Sequence, residues 1–560
     1  MKKILLSFFI GVMLIACNQK TVSVREVWTK EQANEWYKQW GWLRGCDFIP
    51  STAINQMEMW QADTFDPVTI DRELGWAEEI GMNCMRVYLH HLVWETDKEG
   101  FKKRINEYLT IADKHHISTI FVFLDDCWNP VYQAGKQPEP QPGVHNSGWA
   151  RDPGDLYYKG DTAVILPVLE SYVKDILTTF KDDKRIVLWD LYNEPGGSGG
   201  YRYGERSLPL LQKIFTWGRT VNPSQPLSAG VWDMSLTNLN KFQLENSDVI
   251  TYHTYEGVNS HQQLIDTLKQ YGRPMICTEY MARTQNSTFQ DIMPMLKREN
   301  IGAINWGLVA GKTNTIFAWD TPLPDVVEPP LWFHDIFRSD GTPYSTEEVE
   351  CILFGCGAGK QPPSSQLSLT WKLEKDSVEA RYFKNTFCLT NNGNKSLTNN
   401  WVIYFNQTPI YYQQPINAPL EIECLGSTYY KMYPTEHYQA LPPGETITFT
   451  ILSEGNVINV SSVPEGAYMV TTDEKGKSLQ PQNVPIEIEL FKPDTQWVSS
   501  RNSFPYADGN YFYKQNDDFS KPVDCDMLSL FPAPKKVEKT GGVSSFSQKV
   551  CLKFDDAFKE

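Results

Sequence analysis

Basic residues are in deficit in this chain. Lys and Arg total 52 against 68 Asp and Glu, a net charge of −16, which repels a phosphate backbone and argues against nucleic acid as a partner. Long apolar runs are also missing: after Ile4–Ile15 no stretch has the length and greasiness of a membrane span, so a polytopic membrane protein is excluded. No two of the 11 cysteines stand as CxxC, so no zinc-binding cluster is read from them and no metal or other cofactor is expected. There is no GxGxxG turn, which leaves a doubly wound nucleotide-binding sheet without its usual signature. What remains is an ordinary globular composition, 41 % hydrophobic and 21 % charged, over 560 residues, enough for several domains. Aromatic residues reach 13 %, with 18 Trp. Most such rings fill cores, and the rest suit the C–H faces of sugars, which are neutral ligands.

The N-terminus opens Met1-Lys2-Lys3 and then runs apolar, too short for a mature span, and reads as a signal peptide over residues 1–16. Its end, Leu14-Ile15-Ala16-Cys17, resembles the lipobox of bacterial lipoproteins. That resemblance implies acylation of Cys17, a tether over 17–29 and attachment to the outer membrane, with the periplasmic or surface face left open. Cys46, Cys84, Cys127 and Cys277 fall in or beside strand-like apolar runs and read as buried thiols, whereas Cys351 and Cys356 flank a glycine and leave pairing open.

From about residue 30 to 355, short apolar runs alternate with amphipathic stretches, the rhythm of βα units. Eight strands are predicted, at Trp42–Phe48, Cys84–Leu89, Ser118–Leu124, Ile186–Leu191, Gln225–Ala229, Val249–Tyr252, Pro274–Thr278 and Ala303–Gly307, with helices such as Pro67–Glu79, Phe101–Lys114 and Ala163–Phe180 between them. The expected fold is a TIM (β/α)8 barrel, with a doubly wound sheet as the alternative. Residues 356–366 are turn-forming and almost free of apolar side chains, a linker. Beyond it, period-two runs such as Trp401-Val402-Ile403-Tyr404-Phe405 predict an antiparallel, immunoglobulin-like β-sandwich over 367–524.

In a barrel, chemistry sits where strands end. The fourth strand runs into Asn193-Glu194-Pro195 and the seventh into Glu279-Tyr280, so two carboxylates reach one rim from separate strands. Glycoside hydrolysis needs such a pair, one to protonate the leaving oxygen and one to attack the anomeric carbon or activate water. Residues 30–355 resemble clan A glycoside hydrolases, closest to the cellulase-like family 5 branch. The resemblance implies a retaining β-glycosidase acting on an oligo- or polysaccharide, with Glu194 as acid/base and Glu279 as nucleophile. It implies further that Arg86 holds the nucleophile ionised and that Asn193 bonds the sugar 2-hydroxyl. His253 and Tyr255 resemble the sixth-strand pair, with the tyrosine directed at the nucleophile, and Trp306 the eighth-strand floor of the subsite where the cleaved sugar sits.

The family's histidine after the third strand is absent. Its place holds Asp125-Asp126-Cys127-Trp128, where the aspartates read either as ligands of sugar hydroxyls or as surface loop residues and caps. Trp128, Trp149, Trp232 and Trp319 fall in predicted loops as candidates for further subsites. The long loop from Asn129 to Lys159 is expected to wall the cleft on the leaving-group side. Residues 367–524 resemble, more weakly, the N-terminal sandwich of bacterial chitobiases and β-N-acetylhexosaminidases, and 525–560 the start of the small domain preceding a hexosaminidase barrel. The Asp-Glu pair of that barrel is absent, so hexosaminidase activity is not expected here, and the resemblance offers a separate hexosaminidase chain as a partner. The competing reading is a lipid-anchored glycan-binding protein of weak activity.

Overall fold

The computed structural model describes residues 24–198, 202–356, 365–378, 382–407, 411–426, 428–454, 464–489, 497–499 and 512–514. Eight parallel strands follow the predicted order: β1 Arg44–Asp47, β2 Cys84–Tyr88, β3 Ser118–Cys127, β4 Ile186–Ser198, β5 Leu227–Ser228, β6 Ile250–His253, β7 Met275–Glu279 and β8 Gly302–Trp306. They pair in the order β5-β4-β3-β2-β1-β8-β7-β6. The two outer strands meet through Val231, whose amide donates to Thr251 O (3.1 Å) and whose carbonyl accepts from His253 N (2.9 Å). The sheet therefore closes into a barrel, and the open doubly wound alternative falls.

Local chemistry explains the elements. The apolar part of β3 reads Ile-Phe-Val-Phe-Leu without alternation, as expected for a parallel strand buried on both faces. Asp66 caps the helix Pro67–Glu79 by accepting from Thr69 N, with Pro67 in the first turn, where its missing N–H is harmless. The helix predicted from Phe101 begins earlier, at Lys98, because Asp97 caps it through Gly100 N. Gly45 permits the close pairing of β1 with β2: a Cβ there would lie 1.6 Å from Cys84 O. The base of the barrel is filled by Cys84, Ile120, Leu188, Val249, Ile276 and Ile304, and the helix Lys30–Lys38 plugs it with Tyr37.

The chain then forms two five-stranded sheets. One runs β12-β15-β10-β9-β18 and the other β13-β14-β11-β16-β17, with β9 Leu367–Val378, β10 Tyr382–Asn391, β11 Trp401–Asn406, β12 Tyr411–Gln413, β13 Leu420–Gly426, β14 Tyr429–Pro434, β15 Thr446–Glu454, β16 Glu465–Thr471, β17 Gln482–Asn483 and β18 Ile486–Glu489. Their inner faces share a core of Trp371, Phe387, Trp401, Phe405, Tyr430 and Phe449, so the sandwich is as expected. Cys351 and Cys356 lie not around a turn but in one helix, Thr346–Cys356, as buried thiols. That helix docks the sandwich: Phe354 stacks on Tyr468 with centroids 4.4 Å apart, and Cys351 packs with Tyr404 and Tyr429. Most of the expected linker, the acylation site Cys17 and residues 525–560 lie outside the described residues.

One buried carboxylate gives the barrel a pH dependence. Glu73, on the helix Pro67–Glu79, is fully buried and accepts from the Ser51 amide and hydroxyl. Burial pushes its carboxyl from the usual 4.5 up to about 7, even though the Ser51 donors pull the other way. The folded state thus holds this proton more tightly than the unfolded chain, and its stabilising contribution is lost as pH rises from about 4.5 through about 7. A glutamine there keeps an oxygen for the Ser51 amide and offers an N–H to the hydroxyl. Glu73→Gln is expected to shrink the loss of stability between about pH 5 and about pH 8 by up to about 3 kcal/mol. Denaturant melts at both pH values check this, and an unchanged difference refutes it.

Candidate active site

The ends of β1, β2, β4, β6 and β7 supply groups to one network centred on Arg86 of β2, which is wholly buried, and β3 joins it through Asp125 and Cys127. Its Nε and Nη2 donate to Asp190 Oδ2 (3.0 and 2.9 Å), Nη2 also to Asn193 Oδ1 (2.6 Å), and Nη1 to Asp47 Oδ1 (2.7 Å) and Glu279 Oε1 (2.9 Å). A single guanidinium cannot balance three carboxylates. Burial, together with the charges of Glu279 and Asp190, pushes Asp47 well above the usual carboxyl range although Arg86 opposes the shift.

Glu279, at the end of β7, is fixed on both oxygens. Oε1 accepts from Arg86 and from the Tyr88 hydroxyl (3.0 Å), and Oε2 accepts from the Tyr255 hydroxyl (2.7 Å). Glu194 stands opposite on the long β4. Its Oε1 is 2.9 Å from His253 Nδ1, and its Oε2 accepts from the Cys127 thiol (3.1 Å). Burial lowers the His253 imidazole to about 4, so the ring is neutral at neutral pH and its Nδ1–H donates to the carboxylate. Glu194 has φ +42°, a left-handed conformation that costs a side-chain-bearing residue on the order of 1 kcal/mol or more and that is held here by the surrounding pairing. One oxygen each of Glu194 and Glu279, with His253 Nδ1 between them, lie within 4.8 Å of one another.

The residues predicted from sequence thus assemble: Arg86, Asn193, Glu194, His253, Tyr255 and Glu279 are in direct contact, and Trp306 lies beside them, 5.9 Å from the Tyr88 ring. Asp125 and Asp126 need correction. Neither lies on the surface or in a loop, because β3 continues through both to Cys127, and both are buried. Asp125 accepts from Asn193 Nδ2 (2.9 Å) and Trp149 Nε1 (2.7 Å), so it orients the asparagine amide. Asp126 is saturated by Tyr192, Ser207, Tyr158 and the Gly196 amide, pinning the extension of β4. Sequence reasoning missed Asp47, Tyr88, Asp190 and the contact made by Cys127. Tyr88 was reachable, since it stands two residues after Arg86 and period two puts it on the same face.

The long loop after β3 reaches both sides of the mouth. Its inner residue Trp149 is buried against Tyr88 and Trp306, with centroids 5.1 and 5.6 Å away, and its Tyr158 bonds Tyr192 and stacks on Tyr203 beside the extension of β4. Trp319 is 39 % exposed and sits edge-on to Tyr255. Trp232 donates to Pro195 O, and Trp128 faces His145. Among the described residues, two groups have the composition of a cation site, Glu194/His253/Glu279 and His90/His91/Asp152. In the second, His91 Nδ1 is engaged by Asp152 and His90 Nε2 by Arg151 O, so these atoms serve the fold.

Family comparisons agree with this geometry. Residues 77–311 match the family described as Cellulase (glycosyl hydrolase family 5), and residues 368–501 match CHB_HEX, a proposed carbohydrate binding domain. No curated protein sequence matches the chain. Similar solved structures include β-mannanase from the blue mussel Mytilus edulis, 16 % identical over 49 % of this chain and 87 % of that one, with a TM-score of 0.34. Another is the endo-1,4-β-mannanase of Rhizomucor miehei, 14 % identical over 57 % and 96 %, TM-score 0.38. The GH20 exo β-N-acetylglucosaminidase of Vibrio harveyi is 14 % identical over 24 % of this chain and 20 % of that one, TM-score 0.20. With the family match spanning β2 to β8 and the two carboxylates at the ends of β4 and β7, the chain is a glycoside hydrolase that carries a cellulase-like family 5 domain in its barrel and a CHB_HEX-type domain after it.

Proposed function

We propose that Glu279 is the nucleophile and Glu194 the acid/base of a double displacement on a β-linked glycan. The observation that carries this is the separation of the two carboxyl groups, with one oxygen of each within 4.8 Å. Retaining enzymes need carboxyls about 5–5.5 Å apart for direct attack, whereas inverting ones leave about 6.5–9.5 Å for a water. In the first step Glu279 bonds to the anomeric carbon as the glycosidic C–O bond breaks, and Glu194 gives its proton to the leaving oxygen. Water then enters on the face just vacated, Glu194 removes its proton, and the ester to Glu279 is released with the original configuration restored.

The supporting residues hold this geometry. Arg86, Tyr88 and Tyr255 fix the rotamer of Glu279. Asn193 is locked by Arg86 on its oxygen and Asp125 on its nitrogen, and its remaining N–H faces the Cys127 sulfur at 3.4 Å, an acceptor weak enough for a sugar 2-hydroxyl to displace. Proton NMR of a β-glycoside digest is expected to show the β-anomer first and the α-anomer only as mutarotation proceeds. An α-anomer formed first overturns the assignment.

The location is part of the same proposal. The lipobox-like Leu14-Ile15-Ala16-Cys17 supports a lipid anchor in the cell envelope. Cys17→Ser is expected to move the protein from the membrane to the soluble fraction and to abolish labelling by an alkynyl fatty acid, and persistence of either in the variant counts against the anchor. A separate hexosaminidase chain as partner rests on the resemblance of the C-terminal half and is tested by co-purification.

A further inference from the structure

Strands β4 and β8 face each other across the barrel. If Glu194 on β4 protonates the leaving oxygen, as proposed above, the leaving group lies on the β4 side and the sugar being transferred to Glu279 points the opposite way, toward β8 and β1. The barrel mouth is built differently there. Asp47, Tyr88, Trp149 and Trp306 line a recess there, and its far side is formed by the chain around Thr313, Thr315 and Asp335.

Three loops knit together behind this pocket. The loop after β3 meets the loop after β8 where Asn146 N donates to Thr313 O (2.8 Å), Leu323 N to Gly143 O (3.0 Å) and Asn314 Nδ2 to Gln141 O (2.9 Å). The loop after β1 joins at Ser51, whose carbonyl accepts from Lys312 N (3.1 Å). No gap separates the loops at these seams. A Cβ on Gly143 would lie 2.0 Å from Leu323 O, and one on Gly311 would lie 2.5 Å from Ser51. The end of the pocket is also polar where a passing polysaccharide would need an exit. Asp335 accepts from the Thr315 hydroxyl (2.7 Å), which lies 3.0 Å from that of Thr313. Such acceptors suit the several free hydroxyls of a terminal sugar ring, which a ring substituted by a further sugar lacks at its linkage position.

We propose that the glycone side of this site is a blind pocket closed by the joined loops after β1, β3 and β8, so that the enzyme removes single sugars from the non-reducing ends of β-linked chains and does not cut within them. The inference rests on the assignment of Glu194 as acid/base, and the experiment separates the two.

The probes are β-1,4-linked gluco-, manno- and N-acetylglucosamino-oligosaccharides of increasing length as 4-nitrophenyl glycosides, together with the corresponding monosaccharide glycosides. Each is used with its non-reducing end free and with that end blocked as the 4,6-O-benzylidene acetal. For at least one series the monosaccharide is expected to be the first product at every length, and blocking the end is expected to reduce cleavage to background. Early release of oligosaccharides, or cleavage of the blocked series at the rate of the free one, overturns the blind pocket while leaving the carboxylate assignment standing. Wild-type protein inert on every member overturns the assignment of the pair, and the blind pocket with it.

Discussion

Glu279→Ala is expected to lower turnover of β-glycosides on the order of ten-thousand-fold or more while leaving the barrel folded, because a nucleophile supplies a covalent intermediate that no neighbouring group replaces. The nearest carboxylates are badly placed to substitute. Asp47 and Asp190 are buried and bound to the Arg86 guanidinium, and Glu194 faces from the other side of the cleft. The fold survives for an electrostatic reason. Removing Glu279 leaves Arg86 between Asp190 and Asp47, and the Glu279 charge is one of the causes that push Asp47 above the usual carboxyl range. Without it Asp47 ionises more readily and takes up the unbalanced positive charge. The cavity left by the truncation opens to the cleft and admits water, unlike a sealed core void. It also admits a small anion, so azide is expected to restore cleavage and to give the α-glycosyl azide from a β-glycoside, the inverted product of a single displacement. Circular dichroism melts and product NMR check both halves. Near-normal activity in Glu279→Ala removes the nucleophile assignment, whereas lost activity with an unfolded chain is separated by the melt and by azide rescue.

The eight strands were legible because each parallel strand, buried on both faces, writes an uninterrupted apolar run between turn residues. The site was legible to the extent that single residues end those runs: Arg86, Asn193-Glu194, His253 and Glu279 break apolar strands where nothing but a cleft or a partner makes a charge tolerable. The same logic failed at Asp125 and Asp126. Two consecutive aspartates read as the end of β3, yet the strand continues through them because Trp149, Ser207, Tyr158 and Tyr192 saturate their oxygens. Those donors are 24 to 81 residues distant and form no local pattern. Asp47 and Asp190 were hidden for a related reason, since their role exists only through Arg86. The course of the loop after β3 is set in part by Gly143 and Asn146 meeting residues 313 to 323, a contact that hydrophobic periodicity does not encode.

Glu194→Ala is expected to separate substrates by their leaving groups. An alkyl or sugar alcohol leaves as a strongly basic alkoxide unless it is protonated in the transition state, and loss of a positioned general acid costs about 10²- to 10⁴-fold there. A dinitrophenolate is stable without the proton, so formation of the glycosyl-enzyme from a dinitrophenyl glycoside is expected to proceed at a rate near that of the wild type. The second step then becomes limiting, because no base remains to take the proton from water, and a burst of dinitrophenol is expected before slow turnover. Azide needs no base and is expected to accelerate that step, giving the β-glycosyl azide, the retained product and the opposite anomer to that from Glu279→Ala. The neighbours support a clean variant: His253 Nδ1, which loses Glu194 Oε1, already stands 3.5 Å from Glu279 Oε2 and can donate to it. Arg86 is untouched by the change and continues to hold Glu279 in place. Equal losses on disaccharides and dinitrophenyl glycosides, with no burst and no β-azide, place the proton donor elsewhere on the rim. The paired outcome, the α-azide from one variant and the β-azide from the other, distinguishes nucleophile from acid/base without reference to absolute rates.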